Sequence, residues 1–305
     1  MKRYWLGVAM STLLAACGSG TNPFAGTTGG SVTPPTTTVP DEVAGDVLNV
    51  SFDSTQQTLT ISGSGLDQTP FQSIYTRTPA LDVPGYQAYT AQDSSLDRHF
   101  TAFARERDGV YAVAAFSGPQ FNYVIGGTHY GRAANETYDP PEATPTTGLV
   151  SYAGTYAGLL NRSGDGGNLK PVTPGTSPSI IPAQAAEITG AIYLNADFAD
   201  NVINGTVYNR VVVDENVSIA DLDLELTSIA TDGTFHGNVT QPPAQKRGEY
   251  AGIFGGTDAS AVAGTLKASQ HIHQPGYDNE LEYGVFVLSK CGTANADPVC
   301  NQPVP

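Results

Sequence analysis

The sequence is poor in charge and particularly poor in cations. Only 14% of its 305 residues are charged, and 29 acidic residues against 14 lysines and arginines give a formal net charge of −15. An acidic surface repels nucleic acid and anionic lipid headgroups, so we expect no nucleic-acid partner. The same surface suits a basic partner, although acidity is also a common route to solubility.

Motifs of the common enzyme classes are missing as well. The sequence has no Gly-x-Ser-x-Gly nucleophile elbow, no His-Glu-x-x-His metalloprotease motif and no P-loop. We therefore predict a protein that is not an enzyme and that needs no cofactor. An envelope hydrolase is kept as a less favoured alternative.

Long apolar runs are also lacking, and the most apolar stretch lies at the N-terminus. Residues 4–14 are uncharged and follow Lys2 and Arg3. A bilayer-spanning helix needs about 20 apolar residues, whereas this length is typical of the hydrophobic region of a signal peptide. The next residues, Leu-Ala-Ala-Cys ending at Cys17, resemble the bacterial lipobox. An ordinary signal peptide with an incidental cysteine is the alternative.

The lipobox resemblance implies a lipid anchor. Residues 1–16 are then a signal peptide, and Cys17 carries fatty acids such as palmitate, which makes membrane lipid a partner of the chain. Residue 18 is glycine rather than aspartate, which in bacterial lipoproteins favours the outer membrane; the periplasmic face and the cell surface stay equally open. Residues 17–42 are rich in Gly, Ser, Thr and Pro, so we predict a flexible tether.

Only three cysteines are present, and the two others lie near the C-terminus. Cys291 and Cys300 are nine residues apart in a turn-rich segment. In an oxidising envelope compartment such a pair is expected to form a disulfide, which closes a tail of residues 291–305. A redox pair is the alternative, but its cysteines are usually only two residues apart.

The rest of the composition favours an all-β fold. Gly (34), Pro (21), Tyr (15) and Phe (11) are abundant, as in β-structure with many turns. We predict a small antiparallel sheet in residues 43–137, a proline-rich joint, and eight short strands that close a barrel in residues 148–290. Leu222, Leu224 and Leu226 alternate with acidic residues and are expected to face inward. The predicted strands are 47–52, 58–63, 86–90, 101–106, 110–116, 123–130, 149–160, 188–198, 202–213, 222–227, 234–239, 250–255, 264–268 and 283–288.

Three segments of the second region resemble one family. Residues 248–265 contain a strand with a Gly-x-Phe-x-Gly motif, a short helical turn and a further strand. Residues 152–158 have a Tyr-x-Gly-x-Tyr-x-Gly-like pattern, and residues 197–207 form an acidic-Phe, turn, Gly-Thr hairpin. Together they are similar to the barrel of transferrin-binding protein B-like surface lipoproteins. The resemblance implies a handle sheet, residues 43–137, followed by an eight-stranded barrel. It carries over no ligand-binding residue.

Two sets of side chains are candidates for a binding site. His271 and His273 are two residues apart, so on a strand both imidazoles would share a face and reach one metal ion. A polar loop is the alternative. Tyr75, Tyr86 and Tyr89 form a candidate ligand-binding surface, because aromatic residues are enriched at binding cores, or else belong to the core of the first domain.

The functional hypotheses follow from the resemblance and from these candidates. The first is an outer-membrane lipoprotein that binds a protein or a small-molecule ligand without catalysis. The second is a structural or adhesive envelope lipoprotein with no soluble ligand.

Overall fold

The computed structural model describes residues 38–303, except residues 54, 65–68, 135 and 145–146. The predicted signal peptide, Cys17 and most of the predicted tether lie outside this range. In the part of the chain that is described, no helix is long and apolar enough to cross a bilayer. The last two tether residues, Asp41 and Glu42, begin a short helix, Asp41–Ala44.

The N-terminal half is an antiparallel sheet of seven strands that pair in chain order. We call it the handle sheet. It nearly closes on itself, because Gly45 bridges Gly127 and Asp46 N–H donates to the Gly126 carbonyl at 2.9 Å. The strands are β1 Val47–Asp53, β2 Thr58–Ser64, β3 Pro70–Arg77, β4 Gln87–Ala91, β5 Phe100–Arg107, β6 Val110–Ser117 and β7 Gly126–Arg132.

The C-terminal half is a closed antiparallel barrel of eight strands. The circle runs β8-β9-β10-β12-β13-β14-β15-β16 and closes through the pairing of β16 with β8. A ninth, short strand, β11, pairs with the far end of β10. The all-β prediction is thus confirmed. The strands are β8 Leu149–Ser163, β9 Ala185–Asp197, β10 Val202–Val212, β11 Val217–Ile219, β12 Leu222–Ser228, β13 Thr234–Gln241, β14 Gln245–Gly255, β15 Ala261–Ser269 and β16 Leu281–Lys290.

Two local predictions were wrong. Leu222 and Leu224 are buried in the barrel core as expected, but Leu226 is 65% exposed. The register of β10 with β12 shifts between Ile203 and Gly205, and a bulge of this kind turns the following side chains away from their expected face. Strand β3 was not predicted at all.

Side chains alternate between two cores along each barrel strand. On β16, Phe286 and Leu288 belong to the core of the barrel lumen, whereas Val285 and Val287 belong to a core shared with the handle. The period of two residues in a strand explains this division. On the side that faces the handle, the outer surface of the barrel is therefore as well buried as the lumen.

Small side chains allow the handle and the barrel to pack closely. Ala112 and Ala114 of β6 share one buried cluster with Ala251 and Ala263 of the barrel. Hydrogen bonds cross the same interface: Tyr86 Oη donates to the Thr155 carbonyl at 2.8 Å.

The C-terminal tail is closed by the predicted disulfide. Cys291 and Cys300 are bonded, with their Cα atoms 5.6 Å apart. The main-chain N–H of Cys291 donates to the Ser151 carbonyl at 2.8 Å, so the tail is attached to the first barrel strand.

Candidate functional site

The three tyrosines predicted as a ligand-binding surface are all buried. Tyr75 and Tyr89 lie in the core of the handle sheet, and Tyr86 lies in the core shared with the barrel. Their exposed fractions are at most 2%. A buried ring cannot contact a partner, so we assign these residues to the core, which was the alternative interpretation.

The two predicted metal-ligating histidines do not share a face. Residues 271–273 form a loop rather than a strand. His271 is fully buried, with Nε2 at 3.1 Å from Glu282 Oε2, whereas His273 is exposed and its Nε2 lies 3.4 Å from Arg247 Nη2. The strand geometry on which the metal prediction depended is therefore absent from this segment.

His271 belongs instead to a buried polar network inside the barrel. Glu282 accepts hydrogen bonds from Tyr156 Oη and from Arg210, and both members of the Arg210–Glu282 ion pair are fully buried. Arg210 Nη1 also donates to the Ala220 carbonyl at 2.6 Å. Burial lowers the pKa of His271, whereas the hydrogen bond and charge of Glu282 oppose this shift. The network has no open access in this arrangement, and we interpret it as structural.

A different trio of potential metal ligands lies on the surface. Among the described residues, the ligand atoms of Glu42, His236 and Glu249 lie within 4.8 Å of one another. Glu249 already accepts from His236 Nε2 at 2.6 Å and from Lys246. Because the Lys246 ammonium group neutralises the Glu249 carboxylate without a metal, ion pairing accounts for the close approach of these side chains.

The handle sheet, in contrast, has an open edge. Strand β3 pairs with β2 along its whole length but with β4 only at Thr76 and Arg77. Beyond Ala91 the chain leaves the sheet, and no other strand in the described ranges pairs with the first part of β3. A gap therefore separates residues 70–75 from the strands on the far side.

Main-chain groups of β3 point into this gap. Thr78 N–H donates to the Ala88 carbonyl at 2.9 Å. Thr78 and Ala88 are therefore one of the hydrogen-bonded pairs in the ladder between β3 and β4. In an antiparallel ladder these pairs alternate, so the N–H and C=O groups of Gln72 and Ile74 also face the β4 side. Those of Ser73 face β2. The gap thus presents a row of strand donors and acceptors like the edge of an unfinished sheet.

The gap is a groove of about 400 Å³ whose lining is mostly polar, with Ile74, Ala91 and Phe100 as its apolar residues. Ile74, which lines it, is 63% exposed. The nine lining residues are Gln72, Ser73, Ile74, Ala91, Gln92, Asp93, Asp97, Arg98 and Phe100. We call this feature the β3 groove.

The β3 groove is lined by two acidic residues and one arginine. Asp93 and Asp97 form no ion pair within the described part of the chain. The guanidinium of Arg98 is turned to the protein, because Nη1 donates to the Tyr123 carbonyl at 2.6 Å and Nη2 to the Gln120 carbonyl at 3.1 Å. The Lys170 ammonium donates to the main-chain carbonyl of Asp93 at 2.9 Å, so a guest in the groove meets two carboxylates and one neighbouring lysine.

The fold and the groove define a handle-and-barrel protein, the arrangement that the sequence resemblance implied. No protein-family model matches the sequence, and no curated protein matches it. Solved structures do match, among them structures of transferrin-binding protein B and of a surface lipoprotein.

The matches are distant in sequence, and their TM-scores are low. Transferrin-binding protein B of Haemophilus parasuis Hp5 is 9% identical over 80% of this chain, with a TM-score of 0.39. The protein from serogroup B Neisseria meningitidis is 13% identical over 81%, with a TM-score of 0.34. The chain spans 54% and 52% of these two proteins. A structure described as a surface lipoprotein is 14% identical, with 81% of this chain and 97% of that one covered and a TM-score of 0.35.

Proposed function

We propose that this chain is a non-catalytic binding lipoprotein of the outer membrane, which captures a basic, extended segment of a protein partner as an added strand on the handle sheet. The observation that carries the proposal is the unpaired edge of β3. An extended peptide gains main-chain hydrogen bonds from such an edge, and its alternate side chains enter the adjoining groove.

The chemistry of the groove supports one kind of partner. The free carboxylates of Asp93 and Asp97 favour lysine or arginine at the rim, and the exposed Ile74 side chain favours an apolar neighbour. A segment that alternates basic and β-branched residues satisfies both. The net charge of −15 favours approach of the same kind of partner from a distance.

A synthetic peptide of alternating lysine and valine tests strand addition directly. We expect it to bind residues 38–305 at low salt, and the matching glutamate–valine peptide to bind at least tenfold more weakly. Fluorescence polarisation measures both affinities. Hydrogen exchange in the complex should slow at the amides of Gln72 and Ile74 and stay unchanged at Ser73, whose amide already faces β2.

Two variants separate edge binding from general attraction. Ile74→Pro removes one groove-facing N–H, which an edge strand tolerates, and should weaken the lysine peptide at least tenfold. Leu226→Asp alters a residue of equal exposure on the barrel and should leave the affinity unchanged. Equal binding by wild-type protein and Ile74→Pro, or no protection at Gln72 and Ile74, contradicts the proposal.

The anchoring part of the proposal depends on Cys17, and the lipobox-like segment that precedes it supports this role. We expect the full chain expressed in a Gram-negative host to sediment with outer membranes. Cys17→Ser should no longer sediment with outer membranes, because it lacks the thiol that carries the lipid. Cell fractionation and the mass of the mature N-terminal peptide check this. Sedimentation of Cys17→Ser with outer membranes contradicts lipid anchoring.

A further inference from the structure

A second cavity, of about 500 Å³, lies where the handle meets the barrel. The handle contributes the loop between β3 and β4, which includes Asp82. The barrel contributes Glu187 of β9 and two loop residues, Asp165 after β8 and Asp214 after β10. We call it the joint cavity. Four carboxylates from four separate segments therefore line one space, which shares no lining residue with the β3 groove.

Glu187 is the unusual member of this group. Glu187 is only 6% exposed, and its Oε1 atom has no hydrogen-bond partner among the described residues. A buried polar atom without a partner costs about 1–3 kcal/mol, more when the group is charged. This cost indicates that the position serves a purpose other than the stability of the free protein.

The neighbouring acids are held in place by the main chain. Asp214 Oδ2 accepts the N–H of Glu187 at 3.0 Å, and Asp214 Oδ1 accepts the N–H of Asp165 at 3.2 Å. Asp82 is paired with Arg77. In the described part of the chain, no lysine, arginine or histidine forms an ion pair with Glu187, Asp165 or Asp214. Three carboxylates thus share the cavity without a cation of their own.

We propose that the joint cavity binds a small organic cation that carries amine or guanidinium groups. Amine and guanidinium groups are hydrogen-bond donors only, and the free oxygen of Glu187 is an acceptor. A single metal ion fits less well, because the oxygens of Glu187, Asp165 and Asp214 are not within 4.8 Å of one another. The volume lies in the range of small-molecule sites.

Binding is coupled to the protonation of Glu187. Burial, and then the charges of Asp214 and Asp165, raise the pKa of Glu187 to about 8. At pH 7 this carboxyl is mostly protonated in the free protein, and a bound cation favours its ionised form. Binding therefore releases a proton, and affinity increases as the pH rises from 6 to 8. Asp82, Asp165 and Asp214 are the other titratable groups that line the cavity.

Isothermal titration of residues 38–305 with spermidine and with agmatine tests the proposal. We expect binding at low salt, weaker at 0.5 M salt, with a heat that depends on the ionisation enthalpy of the buffer because a proton is released. Glu187→Gln keeps the shape of the protonated side chain. It should reduce the affinity at least tenfold and abolish the proton release. Asp200→Asn replaces a carboxyl group by an amide at an exposed turn and should alter the affinity less than twofold.

Three results overturn the proposal: no heat with either amine, equal affinity and equal proton release in Glu187→Gln, or a Glu187-dependent response to Ca²⁺ or Zn²⁺ instead of to the amines. Circular dichroism of each variant confirms that it is folded. The lysine–valine peptide should still bind Glu187→Gln, because the β3 groove shares no residue with the joint cavity, so the two proposals fail or stand separately.

Discussion

Replacing Glu282 by glutamine is expected to lower the free energy of unfolding by about 3–5 kcal/mol. Glu282 compensates the fully buried guanidinium of Arg210 and also accepts from Tyr156. Glutamine has nearly the same shape but no charge, so the variant leaves an uncompensated cation inside the barrel. Removing one partner of a buried ion pair costs this much because the other charge stays out of water. Urea unfolding at pH 7 measures the difference.

A matched control separates this effect from any glutamate-to-glutamine change. Glu215 forms an ion pair with Arg162, but its side chain is 35% exposed. Solvent screens such a pair, so Glu215→Gln should cost less than about 1 kcal/mol. Similar losses in the two variants would contradict a special role for the buried network.

The pH dependence gives a second test of Glu282. Burial alone raises the pKa of this carboxyl, but the Arg210 charge and the hydrogen bonds from His271 and Tyr156 outweigh burial and lower it to about 2. A lowered pKa means that the contribution to stability is present above the unfolded-state pKa, near 4.5, and is lost as the pH falls toward 2. The difference between wild-type protein and Glu282→Gln should therefore shrink across this window.

This network also shows why the site residues were hard to predict. His271 was noticed because His273 stands two residues away, yet its actual neighbour is Glu282, which also contacts Arg210 and Tyr156. These four come from the loop before β16, from β16, from β10 and from β8. Local spacing cannot reveal contacts that depend on closure of the barrel, so the sequence offered only a candidate metal pair where the structure has a buried ion pair.

Strand β3 shows a similar limit for the fold. Most strands were predicted because their apolar residues alternate or run continuously, as in residues 110–116 of β6. The inward face of β3 carries Phe71, Ser73 and Tyr75, and its outward face carries the exposed Ile74. Apolar residues on both faces hide the period of two. The same feature, an apolar side chain on the outer face of a half-paired strand, produces the β3 groove.

The joint cavity needed knowledge of how the two halves pack. Glu187 was excluded from the predicted strand, which began at residue 188, whereas β9 begins at Ala185. Its neighbours Asp165 and Asp214 lie in loops about 20 and 27 residues away, and the handle closes the space. A lone glutamate beside a strand carries no signal in the sequence, but its buried and unpartnered oxygen is evident in the structure.

Replacing Val285 by aspartate should be the most disruptive change on the outside of the barrel. Val285 is fully buried between barrel and handle, although it faces away from the lumen. A carboxylate there is buried among apolar neighbours, so we expect the free energy of unfolding to fall by more than about 3 kcal/mol. Leu226→Asp places the same carboxylate on an exposed part of β12 and should change stability by less than about 0.5 kcal/mol.

The site of the damage in Val285→Asp shows whether handle and barrel unfold as one unit. They share a buried core that includes Ala114 of β6 and Ala263 of β15. If this core couples them, amide hydrogen exchange should accelerate in β6 and β15 together, because neither half can keep its apolar face dry alone. Acceleration confined to the barrel would show that the halves are independent. Coupled exchange would also mean that the joint cavity forms only when both halves are folded, since its four carboxylates come from both.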